Sequence, residues 1–436
     1  MLIFIKNTPR TYAWGSRNAI PELLGEQPTG EPQAELWLGT HPGSPASVAK
    51  ATHDPHTLID LVDSDPELYG VRGGPLPFLL KVLAIEAPLS LQVHPDIEQA
   101  REGFAREEAA GVPRDASGRN YGDPNHKPEL LVALTPLSAL SGFRPISEVR
   151  DDLRGLEYRA RALGDEAGAA GLAHAVSLLH GVGAEAARDA CMDWAFGDDP
   201  RVQAALAAIE AVVGADAAGD GEADGQERAH EAPAPGAERL DALRSLACTY
   251  PGDPALIISL LLHLVLLQPG EAVYLGARQL HAYLGGVGVE VMAASDNVLR
   301  AGFTGKHVDI AELRRILDLG ELVEPRFSGT AVARGVCAWQ PAIPDFRLVR
   351  ARLFDIEATR PGRTLPGSAE EVVLDAEYPL VLIATSGRVR VERLEAEFAE
   401  VASVRRGQSL YISAGSSIRL TGEGEVFLAT VGIVAE

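Results

Sequence analysis

Three short stretches of this 436-residue chain carry side chains suited to metal binding or proton transfer, at spacings that gather them on one side of a strand. The first is Leu89-Ser90-Leu91-Gln92-Val93-His94-Pro95-Asp96. Residues two apart on a strand face the same way, so Gln92 and His94 project together and Leu91 and Val93 take the packed face. Such a pair can offer a metal one amide oxygen and one imidazole nitrogen, or can be satisfied by hydrogen bonds alone. The second stretch is Asn125-His126-Lys127-Pro128-Glu129. Lys127 and Glu129 share a face across a proline, which is tolerated at a strand start. Glu129 can act as a carboxylate ligand and Lys127 as a cation for an anionic substrate, or the two can form a simple ion pair. His126 faces away and is not read as a ligand.

The third stretch runs from Gln279-Leu280-His281 through Val289-Glu290-Val291-Met292 to Arg300-Ala301-Gly302-Phe303-Thr304-Gly305-Lys306. A histidine at a strand end can be a ligand or a packed residue. Glu290 stands among apolar neighbours, where burial would raise its pKa and suit it to proton transfer. Arg300 and Lys306 flank a glycine-containing turn and together can clamp a phosphate.

The elements that must position these residues are mainly β. Residues 76–83 and 89–93 read as buried strands bounded by turns, and Met1–Ile5 as a first strand rather than a leader. From Ile146 to Leu246 the pattern turns helical, as in Val202–Val212. Within it, Gly214 to Arg239 holds seven acidic residues, two arginines and no aliphatic side chain larger than alanine. Such a stretch cannot offset its ordering entropy by burial and is expected to be a mobile loop. Strand character returns after Tyr250, where Pro269-Gly270 turns into Ala272–Leu275. A last β-rich region follows Gly329, with strands expected at Leu380–Ala384, Arg388–Val391 and Val426–Val431. Arg406-Gly407-Gln408 before Ser409–Ile412 weakly echoes Pro269-Gly270-Glu271, with Ser417-Ile418 where a histidine would recur.

The bulk composition narrows the function. A length of 436 residues implies more than one core. The formal charge of −22 disfavours nucleic acid as a partner. It leaves a small phosphorylated metabolite open, because such a ligand senses local cations. The longest apolar run, Ala255 to Leu267, is too short to span a bilayer. Three scattered cysteines suggest neither a disulfide framework nor a thiolate zinc site, so a cytoplasmic location is expected.

Taken together, Tyr12-Ala13-Trp14-Gly15, Ala34–Pro42, Pro77–Leu83, Ser90–Asp96, Asn125–Glu129, Gly142-Phe143-Arg144, His281–Leu284 and Ser295–Gly302 resemble the type I mannose-6-phosphate isomerases, in that family's order. The Gln–x–His–Pro–Asp and Asn–His–Lys–Pro–Glu elements are the specific ones. The resemblance implies cupin-type jelly-roll β-barrels with an inserted helical domain. Residues 1–145 and 251–328 would form the catalytic barrel, 146–250 the insertion, and 329–436 a C-terminal barrel without metal. It implies Zn2+ held by Gln92, His94, Glu129 and His281. It further implies Arg300 as the stabiliser of the enediolate, Glu290 or a zinc-bound water as the proton carrier, and Ser90, Lys127 and Lys306 as phosphate contacts. The implied reaction interconverts mannose 6-phosphate and fructose 6-phosphate through a cis-enediol, for activated-sugar synthesis or mannose use, in a monomer with no macromolecular substrate. Alternatives are an isomerase of another sugar phosphate on the same scaffold and a sugar-sensing cupin without activity. The family has Thr-Pro-Lys where this chain has Thr304-Gly305-Lys306, which loosens that loop.

Overall fold

The computed structural model describes residues 1–49, 56–71, 74–180, 183–217, 235–354, 368–395 and 400–433. In chain order the first strands are β1 (Leu2–Lys6), β2 (Glu35–Leu38), β3 (Ser47–Val48), β4 (Phe78–Ile85), β5 (Leu91–Val93), β6 (Glu129–Ala133) and β7 (Leu137–Phe143). After a run of helices come β8 (Leu262–Leu267), β9 (Ala272–Leu275), β10 (His281–Ala293) and β11 (Leu299–Gly302). The remainder are β12 (Thr330–Ala333), β13 (Val336–Trp339), β14 (Arg347–Leu353), β15 (Glu371–Ala376), β16 (Leu380–Arg393), β17 (Val401–Arg405), β18 (Ser409–Ile412) and β19 (Gly415–Thr430). The chain is thus mostly β-sheet with helices between.

β10 organises the nine-stranded sheet. Its first residues pair with β5 and β7, and its later ones with β4 and β6. The register shifts between Tyr283 and Gly285. Gly286 follows at φ +115, where a Cβ would stand 2.6 Å from Pro136 O, so only glycine fits this bend. One strand therefore carries His281 on one side of a bend and Glu290 on the other.

Side-chain alternation explains the rest. In β4, Phe78, Leu80, Val82 and Ala84 join Leu130, Val132, Val289 and Val291 in an apolar cluster. That cluster continues into the second sheet through Trp339, Phe346, Leu348, Val381, Ile383 and Phe427. The intervening residues Lys81, Glu129 and Glu290 must face the opposite way. On β5, Leu91 and Val93 pack against the helical segment, which leaves Gln92 on the other side.

The helices of that segment are Ile146–Ala162, Glu166–Leu178, Ala184–Ala195, Pro200–Ala217 and Ala237–Thr249. Arg144 donates to Leu260 O and pairs with Asp152, which Arg239 approaches at 3.2 Å. Arg239 also donates to Leu262 O. The expected loop from Gly214 to Arg239 is therefore too long at both ends. Gly214 to Ala217 complete one helix, and Ala237 to Arg239 begin the next because Arg239 has buried partners. Residues 218–234 of that expected loop lie outside the described residues.

Two further expectations change. β1 pairs with β18 and β3, so these two strands of 1–145 belong to the ten-stranded C-terminal sheet and not to the sheet that carries β2, β4, β5, β6 and β7. Leu380–Ala384 and Arg388–Val391 form one strand, β16, continuous past a register shift between Ala384 and Ser386. The glycines of the two echoed turns, Gly270 and Gly407, both have positive φ, +93 and +80. Among the described residues no helix is long and apolar enough to cross a membrane.

Candidate active site

The sheet registers bring the sequence-predicted residues together. His281 of β10 lies opposite Gln92 of β5, and Arg300 of β11 lies opposite Gln92 on the other side. Glu129, the first residue of β6, lies opposite Met292, two residues beyond Glu290. A cavity of about 450 Å3 opens on this face. Its walls include Ser90, Gln92, Lys127, Glu129, Glu290, Arg300 and Lys306. His94 and His281 are buried, at 0% and 1% exposure.

The donor set has the character of a metal centre. His94 Nε2 is 3.3 Å from Glu129 Oε1, and His281 Nε2 is 3.7 Å from Glu129 Oε2. One ligand atom from each of the three lies within 4.8 Å of the others. His94 Nδ1 donates to Asn297 O at 2.7 Å and His281 Nδ1 to Gln279 O at 2.9 Å. Those carbonyls fix the tautomer that leaves each Nε2 with a free lone pair. His94 Nε2 and Glu129 Oε2 are buried without a hydrogen-bond partner, a costly arrangement for a protein with nothing to bind there. The Gln92 amide lies 3.4 Å from His281 Nε2 and, turned over, would present its oxygen instead.

The electrostatics agree. Burial, followed by the His94 charge, pushes His281 down to about 3; burial and Lys127 likewise lower His94. Both imidazoles are therefore neutral near pH 7, the form that ligates. Burial works against the charged form of Glu129, but Lys127 and His94 outweigh it and hold the carboxyl well below its ordinary range. Two nitrogens, a carboxylate and an amide oxygen form a donor set that zinc accepts.

Beyond the metal set, Lys81 is the main residue that sequence reasoning missed. It lies opposite Glu290 on β10 and Trp37 on β2. Its ammonium is 3.4 Å from Glu290 and 3.9 Å from Glu35. Glu35, Glu290 and Glu129 raise its pKa against the burial penalty. A lone lysine inside Pro77–Leu83, an otherwise apolar run, was the available signal. Tyr283 OH donates to Glu290 Oε1 at 3.1 Å. Burial and the Glu129 charge push the Glu290 pKa up, opposed by Lys81 and Lys127. Asn297, buried next to Asp296, also escaped notice. Its side chain donates to Asp123 O and Asn125 O, fixing the turn whose carbonyl orients His94.

The predicted cations divide. Lys127 Nζ is 2.6 Å from Glu129 Oε1, which places it with the carboxylate rather than among free cations. Among the described residues the Arg300 and Lys306 side chains make no ion pair or hydrogen bond, so both remain available to an anion. Gly305 lacks the positive φ that would require glycine, and a Cβ there would meet nothing within 4 Å. His126 points elsewhere, to Asp345 at 3.0 Å.

Comparison with known proteins places this geometry. Residues 2–146 match the family model described as phosphomannose isomerase type I, catalytic domain. A mannose-6-phosphate isomerase of Shigella flexneri is 41% identical over 313 residues, covering 70% of this chain and 72% of the relative. The Homo sapiens mannose-6-phosphate isomerase is 30% identical over 433 residues, covering 94% and 92%. The solved structure of the Salmonella typhimurium enzyme bound to its substrate, fructose 6-phosphate, and zinc superposes with a TM-score of 0.80 at 31% identity, covering 99% of this chain and 100% of that one. The chain belongs to the type I phosphomannose isomerase family.

Proposed function

We propose that this chain interconverts mannose 6-phosphate and fructose 6-phosphate, with zinc held by Gln92, His94, Glu129 and His281. The observation that carries this reading is a buried His/Glu/His donor set, with His94 Nε2 and Glu129 Oε2 lacking hydrogen-bond partners, whose Glu129 lines one cavity with the cations Arg300 and Lys306. When bound, zinc would supply a redox-silent Lewis acid for sugar oxygens.

The side chains account for the remaining steps. The aldose becomes the ketose when the C2 proton moves to C1 and the O2 hydroxyl proton moves to O1, through a cis-enediol. Glu290 is the base we assign, since its burial favours a carboxyl poised to take and return a proton. Lys81 and Tyr283 hold that carboxylate in place. Arg300, on the strand beside Gln92, stabilises the negative oxygen of the enediolate. Lys306 and Ser90 anchor the phosphate. Lys127 orients Glu129 and presents a cation near the reacting oxygens.

The same reading covers the architecture. The nine-stranded sheet would be a cupin-type barrel, the helices 146–249 an inserted domain, and the ten-stranded sheet a second, metal-free jelly roll. It also makes the enzyme a cytoplasmic monomer, in keeping with its three free thiols.

The expected result is fructose 6-phosphate formation from mannose 6-phosphate at ordinary enzymic rates, about 10 per second or more. Prolonged chelation should abolish it and added zinc restore it. Glucose 6-phosphate should turn over at least about 100-fold more slowly. Preference for glucose 6-phosphate would favour the related-isomerase alternative, and no turnover of either sugar would favour the sensor.

A further inference from the structure

The segment joining Arg300 to Lys306 is held from outside the sheet that carries the reacting groups. The backbone leaves β11 through Gly302 at φ +150 and Phe303 at φ +54. Phenylalanine adopts that conformation only where its surroundings impose it. The imposing group is Asp253, in the turn after the helix Ala237–Thr249. Its Oδ2 accepts from Phe303 N at 2.7 Å, and its Oδ1 accepts from Ala255 N at 2.9 Å. The segments touch: a Cβ on Gly302 would stand 2.4 Å from Ala255 Cβ and 2.7 Å from Asp253 Oδ1.

The same turn reaches the other phosphate-side segment. Tyr250 packs on Phe303 with ring centroids 5.5 Å apart, and both line the cavity. The Tyr250 hydroxyl donates to Pro88 O at 2.8 Å, two residues before Ser90. The turn is fastened to the helical segment, because Gly252 N donates to Glu210 Oε1 at 2.7 Å.

We propose that the turn Tyr250–Asp253 is a strut fixing the Ser90 and Lys306 sides of the cavity relative to each other, with Asp253 a positioning residue for the substrate phosphate. The helical segment thereby sets phosphate affinity through Lys306. This inference rests on the phosphate role given to Ser90 and Lys306 above.

Asp253→Asn is the test, because an amide has one acceptor oxygen and either Phe303 N–H or Ala255 N–H loses its partner. The expected result is a rise of about tenfold in KM for mannose 6-phosphate and in the inhibition constant of inorganic phosphate, with kcat within about threefold. Zinc content should not change. Tyr250→Phe, which keeps the ring, should shift both constants in the same sense by less. The double variant Asp253→Asn/Lys306→Ala should bind phosphate within about twofold of Lys306→Ala alone, since one acts through the other. A folded, zinc-loaded Asp253→Asn with unchanged KM and phosphate inhibition would overturn the strut, as would fully additive effects. If Asp253→Asn does not fold, Tyr250→Phe alone and with Lys306→Ala carries the same comparisons. Unchanged phosphate inhibition in Lys306→Ala itself would remove the phosphate reading and the strut with it.

Discussion

His281→Ala should drop bound zinc from about one per chain to below about one tenth after dialysis, and activity should fall with it. His281 supplies one of two buried imidazole nitrogens, and its tautomer is fixed by Gln279 O. Changes to groups that merely orient a ligand cost metal affinity about 10- to 100-fold, so removal of a ligand should cost more. The protein should stay folded. The apolar clusters that hold the sheets and helices do not include this ring, and β10 keeps its backbone pairing. Metal analysis by mass spectrometry, with circular dichroism as the folding control, reads both outcomes. Full zinc occupancy in a folded variant would remove His281 from the centre.

The second large effect is expected at Arg300. Its strand neighbour is Gln92, a proposed zinc ligand, and both residues line the cavity. Lys306 lies beyond the turn at Gly302-Phe303. If Arg300 meets charge that develops only in the enediolate, Arg300→Ala lowers kcat by about 100-fold or more with little change in KM. Lys306→Ala should act mainly on KM and weaken inhibition by phosphate. Neither cation can ligate zinc, so both variants should retain it. A pure KM effect would move Arg300 into the phosphate-binding set, and a normal kcat would reject its catalytic role.

Local pattern makes part of this site legible in the sequence. Gln92 and His94 are separated by one apolar residue, and the alternation predicts their shared face, which Leu91 and Val93 complete by packing on the helices. Glu290 stands out because a carboxylate between two valines is costly to bury unless it is partnered. Lys81 has the same signature but sits in a run that reads only as a core strand. Its partners Glu35 and Glu290 come from strands distant in sequence, and nothing local predicts which strands will pair. For the same reason the sequence around β1 does not show that β18, at the far end of the chain, takes one of its edges while β3 takes the other. The ends of the expected loop are misplaced because composition does not register anchors such as Arg239 with Asp152 and Leu262 O. Lys127 and Glu129 read from the sequence either as separate cation and ligand or as a surface ion pair; the pair forms at 2.6 Å, but buried, which local pattern does not show.

Proton NMR of mannose 6-phosphate incubated with the zinc-loaded protein in D2O tests the central claim most directly. The account predicts fructose 6-phosphate that carries deuterium at C1 in a fraction set by how far the cavity shields the transferred proton. It also predicts that the signal disappears on chelation and in Glu290→Gln. Fructose 6-phosphate formed at an undiminished rate by the chelated protein or by Glu290→Gln would contradict the account, as would no fructose 6-phosphate from the zinc-loaded chain.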